Sequence, residues 1–293
     1  MCDGVCDLVV TVGELGQITM QASQNEKTKR VGIAVLGTVG KSIAKALDEG
    51  IPGIELVAVA ARNVDVAKEW AASLHSRPVV ASFEEMAQMC DIVIECAPAH
   101  LLPEIATPAL RLGKQVVVLS CGALLDNETL IDVAREHGGQ ILVPTGALLG
   151  LDAVTAAAEG RITAVNMITR KPVKGLLGAP YLEAQGIVID AIEEKTRVFA
   201  GTAREAAKGF PANLNVVVAL SLAGIGPDRT KLEIWADPTI TRNMHTITVE
   251  SDAAMLSMSI ENIPTDNPKT GRITAQSVLA LLRKMTSPMR VGT

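Results

Sequence analysis

The chain has 293 residues, enough for two domains, and 48% of them are hydrophobic against 20% charged, which predicts a well-buried globular protein. A net charge of −5 and an aromatic content of 2% exclude the basic stripe and stacking platforms of a nucleic-acid surface. Apolar runs such as Val116–Leu119 are too short to span a bilayer, so no membrane partner is expected.

Five cysteines (Cys2, Cys6, Cys90, Cys96 and Cys121) form no CxxC pair, and only four histidines accompany them. Neither a disulfide framework nor a zinc site is predicted, and a reducing cytoplasm fits. Residues 1–30 lack the basic start and long apolar core of a secretory signal and read as a loosely attached extension.

From Arg30 onward, short β-branched runs alternate with helical periods. Val31–Leu36, Glu55–Ala61, Asp91–Ala97, Gln115–Ser120 and Gln140–Val143 are near-continuously apolar, the pattern of strands covered on both faces. Helices are predicted at Val39–Glu49, Val64–His75, Phe83–Met89, Leu101–Leu112 and Glu128–Glu136. Ser82 with Glu85 makes a capping box, Asn63 and Asn127 suit N-caps, and Gly50, Gly113 and Gly138 follow helix ends. This spacing implies right-handed βαβ units on a parallel sheet.

After Val143 the rhythm changes. A helix is expected over Ala147–Glu159, then strands at Ile162–Thr169, Thr196–Phe199, Lys231–Ala236, His245–Val249 and Met255–Glu261, the last three reading as successive antiparallel neighbours. Helices Ala203–Gly209 and Ala212–Ala223 lie among them, and Thr274–Met285 closes the chain. The fold class predicted is α/β: a Rossmann-type doubly wound parallel sheet over residues 31–145, then an α+β domain with a mixed or antiparallel sheet over 146–272. A C-terminal helix within 273–293 is expected to pack back on the first domain.

The first strand runs into Gly37-Thr38-Val39-Gly40 at the start of a helix. In a G-x-G-x-x-G fingerprint these glycines hold the second and third places, where backbone approaches a pyrophosphate and helix packs on strand; Val35 stands in the first. The helix N-terminus offers free N–H groups to phosphate. Past the second strand, where an NAD enzyme carries an acid, the chain reads Arg62-Asn63. Arg62 suits a 2′-phosphate and tilts the cofactor from NAD toward NADP, although it also suits stacking on adenine. The turn Ala97-Pro98 and the end of the fifth strand at Ser120-Cys121 lie on the cofactor-facing edge.

The chain resembles the L-aspartate dehydrogenase family. The likeness runs through Ala60-Ala61-Arg62-Asn63, Glu95-Cys96-Ala97, Ser120-Cys121-Gly122-Ala123-Leu124 and Pro144-Thr145-Gly146-Ala147-Leu148-Leu149-Gly150-Leu151-Asp152-Ala153. It continues in Thr169-Arg170-Lys171-Pro172, Pro211-Ala212-Asn213-Leu214-Asn215-Val216, Ala236-Asp237-Pro238 and Asn243-Met244-His245. The resemblance implies an oxidoreductase that deaminates L-aspartate with NAD(P) to iminosuccinate, then oxaloacetate and ammonia, with a possible role in NAD biosynthesis. It places the catalytic histidine at His245 and cofactor contacts at Asn215 and Leu149, and it implies a homodimer through the second domain's sheet. The family more often has alanine at Leu149 and glycine at Val35.

Deamination needs a group that moves protons near neutral pH, which suits His245. A small dicarboxylic amino or oxo acid needs anion sites; candidates are Lys171 with Arg170, Ser120, and the N–H groups of Thr145 and Gly146 opening a helix. Two other readings stay open: an acylating aldehyde dehydrogenase with Cys121 as nucleophile, and a non-catalytic NADP(H)-binding protein.

Overall fold

A computed structural model describes residues 28–211, 214–264 and 271–292; most of the N-terminal extension lies outside these. Six parallel strands form the first sheet in the order β3-β2-β1-β4-β5-β6. They are β1 (Lys29–Ala34), β2 (Ile54–Ala60), β3 (Val79–Val80), β4 (Ile92–Glu95), β5 (Gln115–Val118) and β6 (Gln140–Leu142). The central strands are buried on both faces, as helices on either side require. Those helices are α1 (Thr38–Asp48), α2 (Val64–Ala72), α3 (Phe83–Met89), α4 (Leu102–Arg111) and α5 (Thr129–His137). The two-residue edge strand β3 was too short for the apolar pattern to reveal.

The capping box at Ser82 forms, with Glu85 N–H donating to the Ser82 hydroxyl and Ser82 N–H to the Glu85 carboxylate. Asn63 caps α2 by accepting from Val66 N–H at 3.2 Å. Asn127 does not cap α5: its amide donates back to the Ala123 carbonyl at 2.8 Å, and Glu128 takes the capping place.

The second domain carries a mixed sheet in the order β11-β10-β7-β9-β8. Its strands are β7 (Ile162–Lys171), β8 (Thr196–Thr202), β9 (Thr230–Ala236), β10 (Asn243–Ser251) and β11 (Met255–Asn262); its helices are α6 (Leu151–Ala158), α7 (Pro180–Ala184), α8 (Ala203–Gly209) and α9 (Asn215–Ala223). β10 and β11 pair antiparallel as the sequence suggested, but β9 does not neighbour β10. β7 stands between them, antiparallel to β10 and parallel to β9, a long-range pairing that local turn signals cannot show. Helix α6 starts at Leu151 rather than Ala147, because Gly146 (φ 62°) and Gly150 (φ 67°) are left-handed and keep residues 145–150 in a turn.

Two cores result. One spans the α1 side of the first sheet and includes Ile43, Ala44 and Leu47 with Ala275, Val278 and Leu282 of α10 (Ile273–Thr286). Val278 and Leu282 are fully buried, and burying such side chains contributes about 1.5–3 kcal/mol each. The Thr286 hydroxyl also donates to the Pro52 carbonyl at 2.9 Å. The other core runs without a break from Leu102, Val118 and Leu124 into Leu151, Val217, Leu220 and Val249 of the second domain.

Candidate active site

β1 ends in an unusual turn. Val35 has φ 76°, rare for a β-branched residue, where a fingerprint glycine would be at ease. A Cβ on Gly40 would sit 2.4 Å from the Val35 carbonyl oxygen, so only glycine lets α1 approach β1 this closely. Gly37 precedes α1 with no side-chain cap, and a Cβ there would meet nothing within 4 Å. The first N–H groups of α1 are thus left for an outside acceptor, and the glycine leaves space in front of them. This arrangement fits the pyrophosphate of a dinucleotide.

A cavity of about 540 Å³ opens beside this turn, at the carboxyl ends of β4 and β5. Its walls include Val39, Ala97, Pro98, Ser120, Cys121, Thr145, Gly146 and Asn215. Gly271 and Thr274, which the sequence did not single out, close one side. The crevice outside the carboxyl ends of parallel strands is where doubly wound folds take their ligands.

The walls are held by polar contacts. Asn215, at the start of α9, accepts from Gly122 N–H on its side-chain oxygen at 3.0 Å, and its backbone carbonyl accepts a hydrogen bond from the Cys121 thiol at 2.9 Å. Its side-chain Nδ2 is then the donor it offers the cleft. The Cys121 thiol is pushed up to about 12, chiefly by burial. Gly146 N–H is committed to the Ser277 hydroxyl at 3.1 Å, and Thr145 lies in a turn rather than at a helix start, so the anticipated helix-end anion site is not formed there. Leu149 packs against the core and does not line the cleft. Thr38 and Arg62 are exposed at the turn after β1 and just past β2, outside the cavity lining. Asn63 is engaged in its cap.

A buried acid anchors this wall. Glu95, the last residue of β4, is fully buried, and its carboxyl lies above the usual range because burial outweighs the hydrogen bonds from Ser120, Ala97 and Leu119. The signal was present in the sequence: an acid closing the apolar run Ile92-Val93-Ile94 must find partners inside the protein.

His245 and Lys171 form a second polar group, outside the cavity lining. His245 on β10 faces Thr169 on β7 in register, and their side chains share a hydrogen bond of 3.1 Å. Lys171 lies two residues along the same face; both it and His245 are 3% exposed. Burial first, then the Lys171 charge, depress the imidazole to about 3, so it is neutral at physiological pH. Arg170 is not available as a lone anion donor: its Nε and Nη2 both donate to Asp237, with the Nε contact at 3.1 Å. Burial works against the Asp237 carboxylate, but Thr239 and Arg170 hold it down at about 2.

A doubly wound parallel sheet, a phosphate-ready turn and a mixed-sheet second domain define a two-domain, nicotinamide-dinucleotide-dependent oxidoreductase. Residues 152–285 match the family model described as "Aspartate dehydrogenase, C-terminal", and residues 36–144 match the one described as "Homoserine dehydrogenase, NAD binding domain". The chain is 57% identical to an L-aspartate dehydrogenase of Bradyrhizobium diazoefficiens, covering 90% of this chain and 94% of that one. It is 58% identical to L-aspartate dehydrogenase 3 of Bordetella bronchiseptica, over 90% of this chain and 97% of the relative. In fold it is similar to the crystal structure of aspartate dehydrogenase from Thermotoga maritima, with a TM-score of 0.69 at 23% identity over 90% and 99% of the two chains. The chain belongs to the L-aspartate dehydrogenase family.

No helix among the described residues is long and apolar enough to cross a membrane, and among them no cluster of three or more His, Cys, Asp or Glu side chains could hold a metal.

Proposed function

We propose that this protein catalyses the NAD(P)-dependent oxidative deamination of L-aspartate to iminosuccinate, which hydrolyses to oxaloacetate and ammonia, or the reverse reductive amination. The observation that carries this reading is the buried trio His245, Thr169 and Lys171, in a chain whose relatives at 57–58% identity are named L-aspartate dehydrogenases. The nicotinamide, when bound, supplies the hydride acceptor or donor. Gly37, Val39, Gly40, Ala97, Pro98, Cys121 and Asn215 would hold it.

The protein's own part is proton handling and charge placement. Lys171 supplies a cation for one substrate carboxylate. Burial is the larger cause that depresses His245 and the Lys171 charge the lesser; the same carboxylate offsets the second, and together with opening of the cleft this raises the imidazole toward the range where it accepts a proton near neutral pH. The Thr169 hydroxyl holds the ring in place. Because His245 is sealed from solvent in this structure, the chemistry requires the cleft to extend toward β10 when substrate binds. Arg62, in place of an acid past β2, supports NADP as well as NAD. A homodimer through the second sheet, a cytoplasmic location and a role in NAD biosynthesis belong to the same reading.

The thioester alternative is disfavoured by the Cys121 thiol itself, which donates its proton to the Asn215 carbonyl and stays protonated at neutral pH. The test is an assay of NAD(P)H formation from L-aspartate at alkaline pH, and of its consumption with oxaloacetate and ammonia, in wild type and His245→Ala. Turnover in wild type and its loss in the variant are expected. Equal turnover in both would overturn the role of His245. Absence of turnover in the wild type would overturn the reading as a whole and favour a non-catalytic binding protein.

A further inference from the structure

The carboxylate of Glu95 is the only side chain that touches both loops forming the β4–β5 wall of the cleft, as far as the described hydrogen bonds go. Its Oε1 accepts from Ala97 N–H at 2.6 Å, which pins the turn after β4. Its Oε2 accepts from Leu119 N–H at 3.1 Å and Ser120 N–H at 2.9 Å, which pins the segment after β5. The Ser120 hydroxyl lies 2.8 Å from the same Oε2. Three backbone N–H donors are aimed at the two carboxyl oxygens, which are met as acceptors on both sides, and in this geometry the last contact follows the same polarity: Ser120 donates and Glu95 accepts.

That polarity changes what Ser120 offers to a ligand. A serine hydroxyl has one proton and two lone pairs. With the proton committed to Glu95, Oγ meets the cleft as an acceptor only. It is then mismatched to a substrate carboxylate, the partner its sequence position suggested, and matched to an N–H donor. Ser120 lies between Leu119 and Cys121 on the cavity wall, at the carboxyl end of β5, where the cofactor end of such a crevice lies. The N–H donor that a nicotinamide brings to this edge is its carboxamide amide.

We propose that Glu95 is a positioning residue for the nicotinamide, holding the Cys96–Pro98 and Leu119–Cys121 loops at fixed separation and orienting the Ser120 hydroxyl as an acceptor for the carboxamide N–H. The inference rests on the dinucleotide reading of the cleft. It explains why a fully buried acid without a cationic partner among its hydrogen bonds occupies the end of a central strand. Four hydrogen bonds from neutral donors satisfy it instead.

The experiment measures NADH affinity by fluorescence titration, and the Michaelis constants for cofactor and aspartate, in Ser120→Ala, Glu95→Gln and the double variant. Ser120→Ala removes the hydroxyl and leaves all three backbone donors to Glu95. It should weaken NADH binding and raise the cofactor KM about tenfold, with the aspartate KM changed less than threefold. Glu95→Gln places an N–H2 group against N–H donors and frees the Ser120 proton. It should weaken NADH at least as much, and the double variant should be no worse than Glu95→Gln alone, since both act through one contact. Fully multiplicative losses would overturn the coupling. An unchanged NADH affinity in Ser120→Ala, or a rise in the aspartate KM alone, would overturn the carboxamide assignment even if Glu95→Gln fails to fold. The NADH titration needs no turnover, so a wild type inactive on aspartate would refute the proposed reaction while leaving this inference to be decided on affinity.

Discussion

The two glycines before and inside α1 should respond to the same substitution in opposite ways. In Gly40→Ala the new methyl would lie 2.4 Å from the Val35 carbonyl oxygen and 3.3 Å from Ile33 Cγ2, whereas ordinary contact begins at 3.4 Å. The helix must retreat from β1 by about 1 Å, and the obstacle is backbone, which cannot rotate aside. Overpacking of this kind costs about 1–3 kcal/mol. At roughly 2–4 °C per kcal/mol for a protein of this size, Tm should fall by about 2–12 °C. In Gly37→Ala the methyl meets nothing within 4 Å and the backbone φ of −78° suits any residue, so stability should change by less than about 1 kcal/mol. That methyl would instead occupy the space through which a pyrophosphate reaches the helix N–H groups. NADH Kd should rise at least tenfold, about 1.4 kcal/mol. Thermal unfolding and NADH titration on both variants separate the two effects. The reasoning fails if Gly37→Ala binds NADH within twofold of wild type, or if Gly40→Ala unfolds at the wild-type temperature.

The buried neutral His245 makes stability depend on pH. Its imidazole is held at about 3 in the fold against an ordinary value of 6.5, so the unfolded chain takes up a proton first as pH falls. The contribution is complete above pH 6.5 and is lost progressively toward pH 3, at up to about 1.4 kcal/mol per pH unit; urea unfolding at pH 7, 6 and 5 should show this slope, and His245→Asn should flatten it. An identical slope in the variant would assign the effect to other groups. Lys171→Met should raise the aspartate KM by tenfold or more with the cofactor KM nearly unchanged; equal small changes in both would remove Lys171 from the substrate site. Arg62→Ala should lower kcat/KM for NADP about tenfold and leave that for NAD within twofold, and a protein that already prefers NAD to the same degree with and without Arg62 would count against the 2′-phosphate contact.

Much of the first sheet was written in local pattern. Runs such as Ile92-Val93-Ile94 and Val116-Val117-Val118 can be stable only when covered on both faces, and the capping box at Ser82 marks α3 to the residue. The reading went astray where distant contacts decide. The stretch 147–150 has helical composition, yet left-handed Gly146 and Gly150 and the Gly146–Ser277 hydrogen bond hold it in a turn. β9 looked like the neighbour of β10 because they are close in sequence, while β7, more than 60 residues upstream of β9, separates them. In the site, His245 was identifiable only through the family resemblance. Its burial beside Lys171, and its distance from the cavity lining, depend on the register of β7 with β10. Glu95 appeared in a motif without a role, because its four hydrogen bonds come from a loop 24 residues away as well as its own.

The docking of α10 against α1 bears on how the molecule is made in the cell. Ala275, Val278 and Leu282 complete an apolar surface begun by Ile43, Ala44 and Leu47, more than 200 residues earlier. During synthesis the amino-terminal half therefore emerges from the ribosome with one side of its core uncovered. It stays so until α10 has left the exit tunnel, so this half cannot finish folding first as amino-terminal domains generally do. A nascent chain stalled after β11 would expose the α1 face to chaperones and proteases, and a premature stop codon between β11 and α10 would injure the dinucleotide-binding half most.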